Sequence, residues 1–391
     1  MTTAATGSGD VVDGAVPLAA GDRLYALRRQ RQKIVDATQG SYTEMLSPAV
    51  EGISVVERLL VALHASRLSG AETLAGHYRA RLAQEGASAE LVAAADSTHA
   101  HLAAPDARVA ALLAFTAKVI VRPIDGDRKA VQELTDAGFS PPAIVAASQL
   151  IAFASYQIRL VSGLQALEAA GDDDSTSSAN AKPMAPALTE GPIRVRGFTS
   201  GVLAWTSWLE TIRMEDATAQ QMSAMETMSP TAKDQPYFRL LAHQPSMLLQ
   251  RSIAFNAIMF APGGMPRAER ELGATVESRL NGCVYCASVH AQRFEQLAKR
   301  NDVIAQLFED PATAGTTSRE KAIVRFSTLL ALKPEELTAA HVREARLAGL
   351  TDAETLDLVH AVALFAWANR LMLNLGEPVN PDGSAAERGQ L

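Results

Sequence analysis

The chain has 391 residues, 48% of them hydrophobic, with a formal charge of −7. That length and apolar content suit two packed domains, and an acidic balance without any Lys/Arg block argues against nucleic acid or an anionic membrane as partner. Two cysteines three residues apart exclude a disulfide scaffold; with no signal-peptide pattern and no uncharged apolar run of the ~18 residues a membrane span needs, a cytoplasmic protein is expected.

In chain order, residues 1–20 are rich in Thr, Ala, Gly and Ser and read as a disordered N-terminus. Apolar residues at i, i+3, i+4 spacing then predict helices over Val55–Leu68, Val109–Val121 and Ile144–Leu160. Residues 171–192, opening Gly171-Asp172-Asp173-Asp174-Ser175, read as an exposed acidic, Ser- and Pro-containing linker. Residues 193–265 read as a leader that only the second half carries, with Trp205, Trp208, Met214, Met222, Met225 and Met228, a composition expected of packing rather than of a cofactor site. Helical spacing returns over Ala322–Leu332 and Leu356–Leu371. Alternating β-branched runs are scarce, so the fold class expected is all-α.

Ser66-Arg67-Leu68-Ser69-Gly70 matches Ser278-Arg279-Leu280-Asn281-Gly282 at a spacing of 212 residues. Ala137-Gly138-Phe139-Ser140 matches Ala348-Gly349-Leu350-Thr351 at 211. Two anchors in order at nearly equal spacing predict two tandem helical repeats, 21–170 and 193–391. At the same spacing Ala71, Leu74 and Tyr78 stand where the second half has Cys283, Cys286 and His290, so the first half is expected to have no thiol chemistry. His77, one position away, is expected to be a packing or surface residue.

Cys283-Val284-Tyr285-Cys286-Ala287-Ser288-Val289-His290 contains both cysteines of the chain. On a helix advancing about 100° per residue, Cys283, Cys286 and His290 fall within roughly 60° of one another. Asn281-Gly282 predicts a helix end near Leu280 and a new start near Cys283, placing free N–H groups and a positive dipole end at the thiols. Both features are expected to lower the cysteine pKa, and His290, one turn after Cys286, is positioned to accept its proton. Cys286 is therefore the candidate attacking thiol and Cys283 its resolving partner. An inert buried thiol pair is the plain alternative. A zinc site lacks further Cys or His pairs, and a thioredoxin-type motif lacks a preceding strand.

Glu269-Arg270-Glu271-Leu272 followed by Ser278–His290 resembles the alkylhydroperoxidase D / carboxymuconolactone decarboxylase family, in the peroxidase-related branch with Cys-x-x-Cys-x-x-x-His. Ala361–Arg370 resembles the family's later core helix. The resemblance covers residues 235–378, with 45–168 as a degenerate second copy. It implies an all-α, oligomeric protein with a ring like a trimer. It further implies Cys286 as the peroxidatic cysteine, Cys283 as the resolving one, His290 as the base and Glu271 as its carboxylate, with Glu277 the second choice. The implied activity is reduction of organic hydroperoxides through a Cys283/Cys286 dithiol–disulfide cycle, an antioxidant role that needs an external dithiol reductant. No cofactor or metal is required. Two other readings stay open: a non-catalytic redox sensor or scaffold, and a cofactor-free enzyme of the carboxymuconolactone decarboxylase type.

Overall fold

The computed structural model describes residues 9–98, 104–172 and 187–391. Eighteen α-helices make up most of the described residues. The chain is not wholly helical: Arg194–Val195 pairs antiparallel with Phe198–Thr199, and Ala204–Ser207 with Gly376–Val379. The second pair ties the leader to the C-terminal end, with Trp205 Nε1 donating to the Met372 carbonyl at 3.0 Å. Strands this short carry too little alternation to be visible in sequence.

Residues 9–20 depart from the expected disorder. Asp10 caps the Val11–Ala15 helix, Val11 and Val12 are buried, and Arg28 reaches both Asp10, at 2.9 Å, and Asp13. The segment's two aspartates and three valines are buried in the fold, which composition alone did not show. The linker falls largely on 173–186, outside the described residues, as do residues 1–8.

The longest helices, Pro141–Ala170 and Asp352–Asn374, pack along each other and form the core. Both are long and apolar enough to cross a membrane, yet their most apolar windows are 100% and 89% buried inside the protein. Gly163 permits the close approach. A Cβ there would stand 2.6 Å from both Val359 methyl groups. Gly163→Ala is expected to destabilise the protein by about 1–3 kcal/mol through overpacking, measured by denaturant unfolding.

Elements recur along the chain. Val55–Leu68 and Arg267–Leu280 start 212 residues apart, while Ala107–Val121 and Ser318–Leu332, and Arg128–Asp136 and Ala339–Leu347, start 211 apart. Gln32–Met45 and Pro245–Met259 start 213 apart, as do Arg23–Arg29 and Pro236–Leu241. The leader expected to be extra to the second half therefore has helical counterparts in the first. Side-chain contacts recur too. Arg108 binds Glu57 and the Gly138 carbonyl, and Arg319 binds Glu269 and the Gly349 carbonyl. Between the halves the contacts are reciprocal, as at a two-fold interface. Arg159 donates to the Ala331 carbonyl and Arg370 to that of Ile120. Trp367 Nε1 donates to Gln149 at 3.1 Å, and the Tyr156 hydroxyl shares a hydrogen bond with His360 Nδ1 at 3.2 Å.

Candidate active site

Two helices build the site. Arg267–Leu280 ends at Asn281, and Gly282 takes φ +75°, a left-handed conformation that side chains with a Cβ rarely adopt. The chain reverses there, and Val284–Ala298 begins with Cys283 at its N-cap position. The break expected at Asn281-Gly282 is thus present. Cys283 has φ −81° and ψ 86°, outside the helical region, so its position relative to Cys286 is not held to regular helix geometry.

The antiparallel return of the second helix sets His290 beside Glu271. Their Nδ1 and Oε2 atoms lie 2.5 Å apart, and Glu271 is 1% exposed. Arg267 Nε donates to the other carboxylate oxygen at 3.2 Å. Burial alone would raise the Glu271 pKa; the imidazole and the Arg267 guanidinium outweigh it and hold the carboxyl below its ordinary value. Phe365 closes the far side of the imidazole, with ring centroids 4.1 Å apart. A carboxylate on Nδ1 leaves Nε2 as the nitrogen available for proton exchange.

Glu277 is placed elsewhere. It does not fold back over the thiols but stays within its helix, wholly buried. Asn281 Nδ2 donates to it at 2.7 Å, and Arg159 of the first half stands 3.7 Å away. It supplies negative charge to the buried arginines Arg159 and Arg370 where the halves meet. Glu271, not Glu277, is the carboxylate that the fold brings to His290.

Both cysteines are free and buried. Cys283 borders a cleft of about 660 Å³ lined also by Trp205, Trp208, Tyr285 and Met372, whereas Cys286 lies one turn further in. The expected lowering of the thiol pKa is not what the surroundings of Cys286 produce. Burial pushes that thiol well above its ordinary value, Cys283 adds to the effect, and Arg251 opposes it. A helix N-terminus favours thiolate, but desolvation in this packed position is the larger effect. Cys286 therefore rests as a thiol, and ionisation needs a proton acceptor.

Sequence reasoning missed Arg251 and Tyr237. Arg251 is a lone charge in the apolar run Met247-Leu248-Leu249-Gln250-Arg251-Ser252-Ile253-Ala254-Phe255, and that isolation was the available signal. The same two cysteines act electrostatically on the buried Tyr237 hydroxyl, together with Arg251. No group of three or more potential metal ligands occurs among the described residues.

Residues 248–328 match the model of the carboxymuconolactone decarboxylase family, a segment that contains Arg251, Glu271, Cys283, Cys286 and His290. The likeness to that family lies in this segment. Among solved structures it is similar to the alkylhydroperoxidase AhpD core of an uncharacterized peroxidase-related protein from Ralstonia eutropha JMP134. The identity is 24% over 42% of this chain and 87% of that one, with a TM-score of 0.38. No curated protein matches the chain.

Proposed function

We propose that the protein is a thiol-dependent peroxidase acting on organic hydroperoxides. One observation carries this reading: a buried Glu271–His290 pair stands one helical turn from Cys286, and a second thiol lies at the start of the same helix. His290 accepts the Cys286 proton. The thiolate attacks one peroxide oxygen, forming an S–O bond as the O–O bond breaks, and the alkoxide leaves as alcohol with a proton returned from His290. Cys283 sulfur then attacks the sulfenic acid; the S–S bond forms and water departs. Two electrons have passed from the dithiol to the peroxide, and an external dithiol restores them by exchange.

The recurring elements and reciprocal contacts support a further part of this reading. The halves are two copies of one unit, and the thiol-free copy serves as a built-in partner. Arg159 is its contribution, beside Glu277 on the helix that precedes the cysteines.

The test is stopped-flow titration of the fully reduced protein with an alkyl hydroperoxide, followed by mass mapping. One equivalent consumed per chain and a Cys283–Cys286 disulfide are expected, with repeated turnover once a dithiol is supplied. Two free thiols at the start of one helix also suit a second reading, a redox sensor whose dithiol is oxidised once without turnover. A single oxidation without turnover under any dithiol would select it and end the peroxidase reading.

A further inference from the structure

Arg251 is a buried cation without a counter-ion. It is 2% exposed, its Nε is buried with no hydrogen-bond partner, and it pairs with no carboxylate among the described residues. Its guanidinium carbon lies 5.5 Å from the Tyr237 ring centroid, 5.8 Å from that of Trp367 and 6.0 Å from that of Phe255. Aromatic faces attract a cation but offset only part of the cost of removing it from water. The neighbouring arginines have acceptors: Arg267 holds Glu271, and Arg270 holds the carbonyls of Ile258 and Ala261.

The other half shows what this slot needs for packing alone. At the 213-residue spacing of Gln32–Met45 and Pro245–Met259, the counterpart of Arg251 is Thr38. Thr38 bonds the Tyr156 hydroxyl at 3.0 Å, and Tyr156 is the counterpart of Trp367. The slot is the same, and a small neutral side chain fills it. The arginine occurs only in the half that also has Cys283, Cys286, Glu271 and His290.

We propose that Arg251 is the fixed counter-charge of the Cys286 thiolate, the group that keeps the sulfur ionised once His290 has taken its proton. The proposal rests on Cys286 being the attacking thiol. The charged and titratable groups around that sulfur are few. Cys283, Tyr285 and His290 share its helix. Tyr237 and Arg251 come from the preceding helices: Arg251 stands over Phe255, whose ring lies 6.1 Å from that of Phe365, and Phe365 packs on His290 at 4.1 Å. The adjoining helix offers Glu271, engaged by His290 and Arg267, and Glu277, engaged by Asn281 and paired with Arg159. From Asp352–Asn374 come the neutral Phe365 against His290 and Arg370 near Glu277. Arg251 is the one cation among them without a competing anion. Forming the thiolate pairs two buried charges that would each be costly alone.

The experiment follows ultraviolet thiolate absorbance against pH in a Cys283→Ser background, where Cys286 is the only thiol. The full-length parent is compared with Arg251→Lys, Arg251→Met and Arg251→Thr, the last chosen because Thr38 shows that threonine fits the slot. Folding is checked by thermal melting. Both neutral variants are expected to hold about tenfold less thiolate at any pH below the midpoint, one pKa unit or more, with lysine close to the parent. Equal midpoints in all four proteins would overturn the proposal, and so would a rise in lysine matching that in methionine, which would show a packing role. The readout needs no peroxide. A shifted midpoint in a protein that never turns over peroxide leaves Arg251 assigned and removes only the peroxidase reading; turnover with unshifted midpoints does the reverse.

Discussion

Peroxide consumption is expected to fall to background in Cys286→Ser, while Cys283→Ser consumes one equivalent and stops with a stable sulfenic acid on Cys286. The argument is positional. Cys286 precedes His290 by four residues on a regular helix, so sulfur and imidazole share a face. Cys283 sits at the N-cap, off that regular register and at the cleft wall, where it can meet the oxidised sulfur and then an external dithiol. A serine hydroxyl in place of the first thiol has far too high a pKa to substitute for it, whatever His290 does. Peroxide loss followed by stopped flow gives the stoichiometry, and sulfenic-acid trapping with mass spectrometry gives the site. The access of Cys283 to the cleft makes the opposite assignment concrete. A trapped sulfenate on Cys283 in the Cys286→Ser protein, with peroxide still consumed, would exchange the two roles.

Much of this site was legible in the sequence because it is local. Cysteines three apart, a histidine four further on and a preceding Asn-Gly specify a helix–turn–helix corner by short-range geometry alone, and the structure has that corner. What was not legible depends on which side of a helix meets which neighbour. Glu271 and Glu277 lie six residues apart on one helix and both read as plausible partners. Packing puts the first on His290 and the second against Arg159 from more than a hundred residues earlier. The direction of the Cys286 pKa was missed for the same reason: the helix start is visible in sequence, but the desolvation that outweighs it is tertiary. Asp10 and Asp13 looked like part of a low-complexity tail because their partner, Arg28, is recognisable only once the fold is seen. The spacing of 211–213 residues could be followed from a few anchors. Its extension back through Gln32–Met45 and Pro245–Met259 could not, because those helices share little sequence.

His290→Ala is expected to slow the peroxide step by about 10²-fold or more, the usual loss for a general base, and Glu271→Gln by a smaller factor because glutamine keeps an acceptor oxygen but no charge. Cys286 is pushed up by burial, so a protein without the imidazole has no internal acceptor to draw the proton away. The carboxylate acts through the ring. Held 2.5 Å from Nδ1, it orients the imidazole and stabilises it once it has gained a proton. Its pKa gives a second readout. Glu271 is depressed in the folded protein, so the pair contributes stability that is present above the carboxyl's unfolded pKa and is lost as pH falls through the folded one. Wild type should therefore lose more stability than Glu271→Gln on acidification through the carboxylate range, measured by denaturant unfolding at a series of pH values. At neutral pH the variant's thiol alkylation profile should lie above that of wild type. If Glu271→Gln has the same acid dependence of stability and the same alkylation profile as wild type, the Glu271–His290 contact is packing, and the proton acceptor for Cys286 has to be sought among other groups.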